Sequence, residues 1–167
     1  MECPIARTMA EVGDAWRILI IRDAITGVRR FDDFQASLGI APNILTTRLA
    51  SLVADGLLIK RRYQSRPPRF EYAPTDKARD FLPVIIALAA WGLRWLSPDG
   101  PTIQFVDRAT EDPIDPVLTD RATGRVLTAS MLTLQPGPSA GPEILARVDR
   151  IRRRANNRPA TRPPTDR

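Results

Sequence analysis

Apolar residues recur at helical spacing through the first half of the chain, and each run ends at a residue that stops a helix. Ile5, Met9 and Val12 fall on one side of a predicted helix over 3–12. Trp16, Leu19, Ile20 and Ala24 form the inner face of a second, 15–26, with Gly27 just past its end. Phe31, Phe34 and Leu38 mark a short third helix that stops at Gly39. A tight turn, GIAP, then leads into a fourth. Pro42 suits its first position, where a missing N–H costs nothing, and Leu45, Leu49 and Leu52 carry the apolar stripe to about Asp55 and Gly56. The pattern then changes. LLIKRRY (57–63) and FEYAP (70–74) read as strands joined by QSRPPR, which is too long for a two-residue turn and is stiffened by Pro67 and Pro68. A long apolar helix follows over 75–96, capped by Thr75 and kinked or interrupted at Pro83.

Short helices ahead of a two-stranded hairpin describe a winged helix-turn-helix: mainly α with a small β-wing. Beyond Ser97 the chain reads as an extension. IQFVD suggests a strand, DPVLTDRATGRVLTASMLTL two strands about a turn at Arg121–Gly124, and PGPSAGP a linker. PEILARVDRIRRR places Ile144, Leu145, Val148 and Ile151 on one helical face, and ANNRPATRPPTDR has a disordered composition. No internal repeat is evident. The expected organisation is a winged helix-turn-helix domain over 1–96, a small, possibly β, extension over 97–142, and a short helix with a basic tail over 143–167.

Charge sharpens this division. The 167-residue chain carries net +6, made up of +4 over 1–96, −3 over 97–142 and +5 over 143–167. A positive balance fits an anionic partner. With no histidine and Cys3 as the only cysteine, His/Cys zinc sites and Ser-His-Asp or Cys-His catalysis are excluded within one chain. No phosphate loop, metal cluster or nucleophile–base pair stands out, so no cofactor, metal or enzymatic activity is expected. The N-terminus lacks signal-peptide order, and the longest uncharged apolar stretch, Phe81 to Leu93, is short of the roughly 20 residues a membrane span needs. A soluble cytoplasmic protein without membrane contact is expected.

Several segments, in order and at matching spacing, resemble HxlR-type winged helix-turn-helix regulators, a bacterial branch of the MarR-like superfamily. They are CP near the start, GDAWRILIIRDAITGVRRFDDFQASLGI, LTTRLASLVADGLLIKR, PPRFEYAPTDKARDFLPVI and AAWG, covering 3–92. The resemblance implies a homodimeric DNA-binding repressor or activator without enzymatic activity. Ala41 departs from the serine that often caps the recognition helix of the family.

The fourth helix is then the recognition helix. With its leucines inward, Asn43, Thr46, Thr47 and Arg48 are the candidates to enter the major groove of double-stranded DNA. Asn pairs with adenine, Arg with guanine, and a threonine methyl packs on the methyl of thymine. A solvated helix face is the bland alternative. In the wing, Arg66 and Arg69 bracket the prolines and are the favoured phosphate contacts. Lys60 and Arg62 share a strand face opposite Arg61, so the three cannot all touch DNA. Arg29 and Arg30 either hold the DNA backbone or pair with Asp32 or Asp33. From Phe81 to Leu96 Arg94 is the only charge, and a helix apolar on all sides must be covered on all sides. Phe81, Ile85, Leu88, Trp91 and Trp95 are the candidate homodimer interface, with a fold-over of the extension as the alternative cover. Cys3 opens a predicted helix with Arg7 one turn on, a setting that favours thiolate. It is a candidate redox sensor or a packed, unreactive thiol. The competing function is a winged helix used for protein–protein interaction, and any small-molecule or oxidant effector is not identified.

Overall fold

The computed structural model describes residues 3–156. Helices α1 (Pro4–Val12), α2 (Ala15–Thr26), α3 (Phe31–Leu38) and α4 (Pro42–Ala54) are followed by strands β1 (Leu58–Gln64) and β2 (Arg69–Pro74). Helices α5 (Asp76–Arg79) and α6 (Leu82–Leu96), a 3-10 turn at Ala129–Met131 and α7 (Pro142–Asn156) complete the order. By chain contacts the protein divides into two compact units, Thr8–Pro116, and Met1–Arg7 with Val117–Arg167.

In the Thr8–Pro116 unit the apolar periodicity becomes a core. Ile20, Ile21, Ala24, Phe34, Leu45, Leu49 and Leu52 are fully buried, with Leu57, Leu58, Ala78 and Ile85 beside them. Burying each large aliphatic side chain contributes about 1.5–3 kcal/mol. Trp16 and Leu19, expected to lead the inner face of α2, are only half-buried, whereas Ile21 and Asp23 are buried. Ile20 and Ala24 are buried as expected, and the buried side of α2 is wider than its stripe because α3, α4 and α6 all pack against this helix. Of the α1 stripe, Val12 is buried while Ile5 and Met9 are exposed.

Helix ends follow local chemistry. Asp14 caps α2 by accepting the Arg17 N–H at 3.2 Å. Gly27, at φ 117°, sits in the left-handed region that a side chain resists, and its turn lets Val28 N–H reach the Asp23 carbonyl at 2.9 Å. Thr75 caps α5 by accepting the Ala78 N–H. The expected long helix over 75–96 is two helices, broken at residues 80–81. Pro83 stands in the first turn of α6, where its missing N–H is harmless.

β1 and β2 pair antiparallel with Lys60 opposite Tyr72 and Arg62 opposite Phe70. The connection is a four-residue turn, 65–68, with a cis Arg66–Pro67 bond, tighter than the extended loop expected. Arg62 explains the tightening, since its guanidinium donates to the Gln64 carbonyl at 3.1 Å and the Ser65 carbonyl at 2.5 Å. A bridge between Arg30 and Glu71 extends the sheet edge by one residue.

The β extension is sparser than expected. Residues 103–107 contain only an isolated bridge, Val106 to Pro113, and the two strands about Arg121–Gly124 reduce to another, Thr119 to Val126. These bridges reveal a repeat that reading the chain for periodicity missed. Asp-Arg-Ala-Thr occurs at 107–110 and again at 120–123. Each aspartate carboxylate accepts a backbone N–H two residues on, from Ala109 at 2.7 Å and from Ala122 at 3.1 Å. Each carbonyl accepts an N–H four residues on, from Glu111 at 2.9 Å and Gly124 at 2.8 Å, and both of those residues have positive φ. The repeat is a turn, too short and polar to show in an apolar pattern.

In the other unit, α7 buries Val148 but leaves Leu145 and Ile151 exposed, so its apolar face is only partly covered. The tail expected to be disordered from residue 155 instead begins in α7, which runs to Asn156; residues 157–167 lie outside the described residues.

Candidate nucleic-acid interface

The leucines of α4 face the core, so the opposite side faces outward. Asn43, Ile44, Thr46, Thr47 and Ala50 are exposed. Ile44 is an addition to the expected face, adding an apolar contact of the kind that suits a thymine methyl. Ala41 takes the N-cap position without a side-chain cap bond, as its lack of a hydroxyl requires. Both threonine hydroxyls donate backward, Thr46 to the Pro42 carbonyl at 2.8 Å and Thr47 to the Asn43 carbonyl at 2.9 Å. A hydroxyl has one proton to give. What these residues offer a base edge is therefore an acceptor oxygen and a methyl group, and donation falls to Asn43.

Two arginines expected at the DNA are engaged within the fold. Arg48 makes a two-pronged ion pair with Asp14, Nε to Oδ1 at 3.1 Å and Nη2 to Oδ2 at 2.9 Å. Planar guanidinium and carboxylate fit this geometry closely. Arg29 donates to the Ala24 and Val28 carbonyls, placing a cation on the C-terminal end of α2, where the helix dipole favours it. Neither pairing with Asp32 or Asp33 occurs: Arg30 is exposed, with its guanidinium 5.0 Å from the Tyr63 ring centroid.

The Arg48–Asp14 pair has a counterpart running the other way. Arg17 on α2 donates to Ser51 at 2.8 Å and to Asp55, beside the end of α4, at 2.5 Å. Two crossed arginine–aspartate pairs thus fasten α4 to α2, and their partners lie 34 and 38 residues apart, beyond any local sequence signal. Burial pushes the Asp14 carboxyl up, but the Arg48 guanidinium and the Arg17 and Trp16 N–H groups outweigh it and hold the pKa below the ordinary value.

In the wing, Arg66 and Arg69 are exposed and have no side-chain partner among the described residues. Lys60 lies 4.2 Å from the Phe70 ring centroid on the strand face it shares with Arg62. Arg62 is committed to the turn, while Arg61 on β1 and Arg66 and Arg69 at the tip are left exposed.

Helix α6 presents three sides. Phe81 and Ile85, expected at an interface between subunits, point to the core instead; Ile85 is 4% exposed and Phe81 packs against it there. Ala89 and Leu93 lie beside residues 104–105 of the extension. The remaining side carries Val84, Leu88, Trp91 and Trp95, exposed by 42, 48, 57 and 63%. Their spacing of four, three and four is that of a coiled-coil seam.

In the unit that contains α7, Cys3 stands at the start of α1 and its carbonyl accepts the Arg7 N–H at 3.0 Å. The Ala6 and Ile5 N–H groups draw the thiol pKa below its ordinary value; burial opposes them, and the charge of Arg147 on α7 assists. A cavity of about 470 Å³ lies beside it, lined by Ala6, Arg147 and Arg150 among others.

A recognition helix held on a three-helix core beside an arginine-tipped hairpin defines a winged helix-turn-helix protein. The profile of the HxlR-like helix-turn-helix family matches residues 11–100, and the chain belongs to that family. It is 38% identical over 135 residues to the uncharacterized HTH-type transcriptional regulator Rv3095 of Mycobacterium tuberculosis, covering 80% of this chain and 85% of that one. It is similar to the solved structure of PA1374 of Pseudomonas aeruginosa, a candidate transcription factor, at 46% identity and TM-score 0.64, covering 87% of this chain and 99% of that one. The redox regulator HypR in its reduced form matches at 28% identity and TM-score 0.53, covering 58% of this chain and 99% of that one. The first two matches are longer than the family profile, so part of the chain outside residues 11–100 is shared with those proteins. The protein is a transcriptional regulator with a DNA-binding helix-turn-helix. No helix among the described residues is long and apolar enough to cross a membrane.

Proposed function

We propose that the protein is a homodimeric repressor that binds a near-palindromic operator. The observation that carries this reading is the outer face of α4, where Asn43, Ile44, Thr46 and Thr47 stand exposed on a helix anchored from behind by three buried leucines. In a two-fold dimer joined along Val84, Leu88, Trp91 and Trp95, two such helices enter successive major grooves about 34 Å apart. Asn43 reads a base, the threonine methyls and Ile44 pack on thymine methyls, and Arg66 and Arg69 bind phosphates or the minor groove. Arg30, which bridges Glu71 at the edge of the wing, adds a contact to the DNA backbone; Arg29 and Arg48 act indirectly by holding α2 and α4. The regulated dimer works in the cytoplasm and carries out no catalysis. Selecting bound fragments from the source genome tests the reading. It requires a fragment set with a two-fold motif, and operator affinity far above that for random DNA. A ratio near one removes the operator and leaves a module for protein–protein contact.

A second reading is favoured by the surroundings of Cys3. The helix N-terminus and Arg147 that lower its pKa stabilise thiolate, the form that oxidants attack. With one cysteine per chain, oxidation yields an intersubunit disulfide or a mixed disulfide with a small thiol. Operator release on treatment with diamide, lost in Cys3→Ser, supports this role; equal release from both proteins refutes it.

A further inference from the structure

Between α2 and α6 lies a cavity of about 550 Å³, wholly within the Thr8–Pro116 unit. Its size is that of a small-molecule site. Ile18, Leu19, Ile85, Leu88 and Leu93 make its walls apolar, and residues 102–105, beyond the end of the family match, form one side. Such a cavity needs a polar anchor to select an occupant, and Asp23 supplies one. This aspartate is 4% exposed, one of the most deeply buried polar side chains in the unit. Its Oδ1 accepts from Arg22 Nε at 2.8 Å and Nη2 at 2.7 Å, and its Oδ2 accepts from Ser37 at 2.7 Å. A carboxylate has about four acceptor sites, two per oxygen, so Oδ2 retains capacity for another donor.

We propose that this cavity binds a small regulatory molecule with a flat apolar body and a hydrogen-bond donor that meets Asp23. The walls accept the body, and Oδ2 takes a donor; Arg22 balances the charge of Asp23, so a carboxylate ligand is disfavoured because it has no proton to give. The bond from Ser37 to Asp23 joins α3 to α2, immediately before the recognition helix. A ligand donor competing for Oδ2 loosens that link and weakens the hold on DNA. Gly92 lines the cavity, and a Cβ built on it meets nothing within 4 Å, so a side chain there starts in open space and can take up ligand volume.

The regulatory role rests on the operator reading, whereas occupancy does not, so binding is measured first without DNA. The probes are 2-naphthol, a flat ring system with a hydroxyl donor, and 2-naphthoate, the same body with a carboxylate. Calorimetry on the full chain gives saturable binding of 2-naphthol below 1 mM, on the order expected for a small apolar fragment, and at least tenfold weaker binding of 2-naphthoate. Gly92→Leu abolishes 2-naphthol binding while retaining the melting temperature and DNA affinity of the parent, and Gly92→Ala weakens it partially. Failure of 2-naphthol to bind, equal binding to Gly92→Leu, or preference for 2-naphthoate overturns the proposal. Addition of 2-naphthol to the DNA complex then lowers affinity severalfold in the parent and not in Gly92→Leu. Binding without any effect on DNA overturns the regulatory role and leaves the site.

Discussion

Asn43 is the one side chain on the outer face of α4 that can both donate to and accept from a base, because the threonine protons are spent on the helix backbone. Asn43→Ala is therefore expected to change which sequence is preferred, with a loss of about 1–3 kcal/mol at one base pair of each half-site. Sequencing of selected fragments checks this, and an unchanged motif moves the reading elsewhere. Asp14 makes a different kind of contribution, as helix cap and as anchor of Arg48. Its folded pKa lies below that of the unfolded chain, so its stabilisation is full above the unfolded value near 3.8 and is lost as pH falls through the folded value. Asp14→Asn should flatten the loss of stability in that acid window, as measured by thermal melts between about pH 2 and 5. Side chains were the level at which sequence reading was weakest. The residue types at 43, 46 and 47 pointed to a polar outer face, but nothing local to Arg48 or Arg29 disclosed that a partner dozens of residues away, or a helix end folded back on it, had engaged the guanidinium.

Elements were far more legible. Helical periodicity, a proline at the start of α4 and glycines past the ends of α2 and α4 located α1 to α4 to within a residue or two, because those signals depend only on neighbours along the chain. The buried side of α2 is wider than its apolar stripe since three helices press on it at once, which periodicity alone does not express. On α6 the continuous apolar run revealed that every side needs a cover without revealing which. The structure divides the run into core, extension and an exposed seam. Replacing Trp91 by Glu puts a charge in that seam. The expected outcome is monomer in analytical ultracentrifugation with helical content retained, together with loss of tight operator binding; dimer persisting in Trp91→Glu argues against the seam. In the wing, Arg69→Ala removes a charge that serves no fold contact. It should weaken all DNA about equally and reduce the slope of log affinity against log salt by about one, as titrations at several salt concentrations will show.

For the whole molecule, division of labour follows from where charge and apolar surface remain unspent. The arginines of the wing tip and the seam of α6 lie on side chains that the fold leaves exposed. Steep salt dependence of binding, shared by operator and random DNA, is expected from such a surface, while the difference between the two reports the α4 face. The extension was the least legible part, because its turns are stabilised by aspartate carboxylates and backbone carbonyls, and neither leaves an apolar rhythm to read.

The crossed fastening of α4 to α2 has an evolutionary corollary. Leu45, Leu49, Leu52 and Arg48 hold the rod from behind, so positions 43, 44, 46, 47 and 50 are free to vary without disturbing its angle. Relatives sharing those fixings could address quite different promoters on a common chassis, exchanging only the lettering on the exposed side.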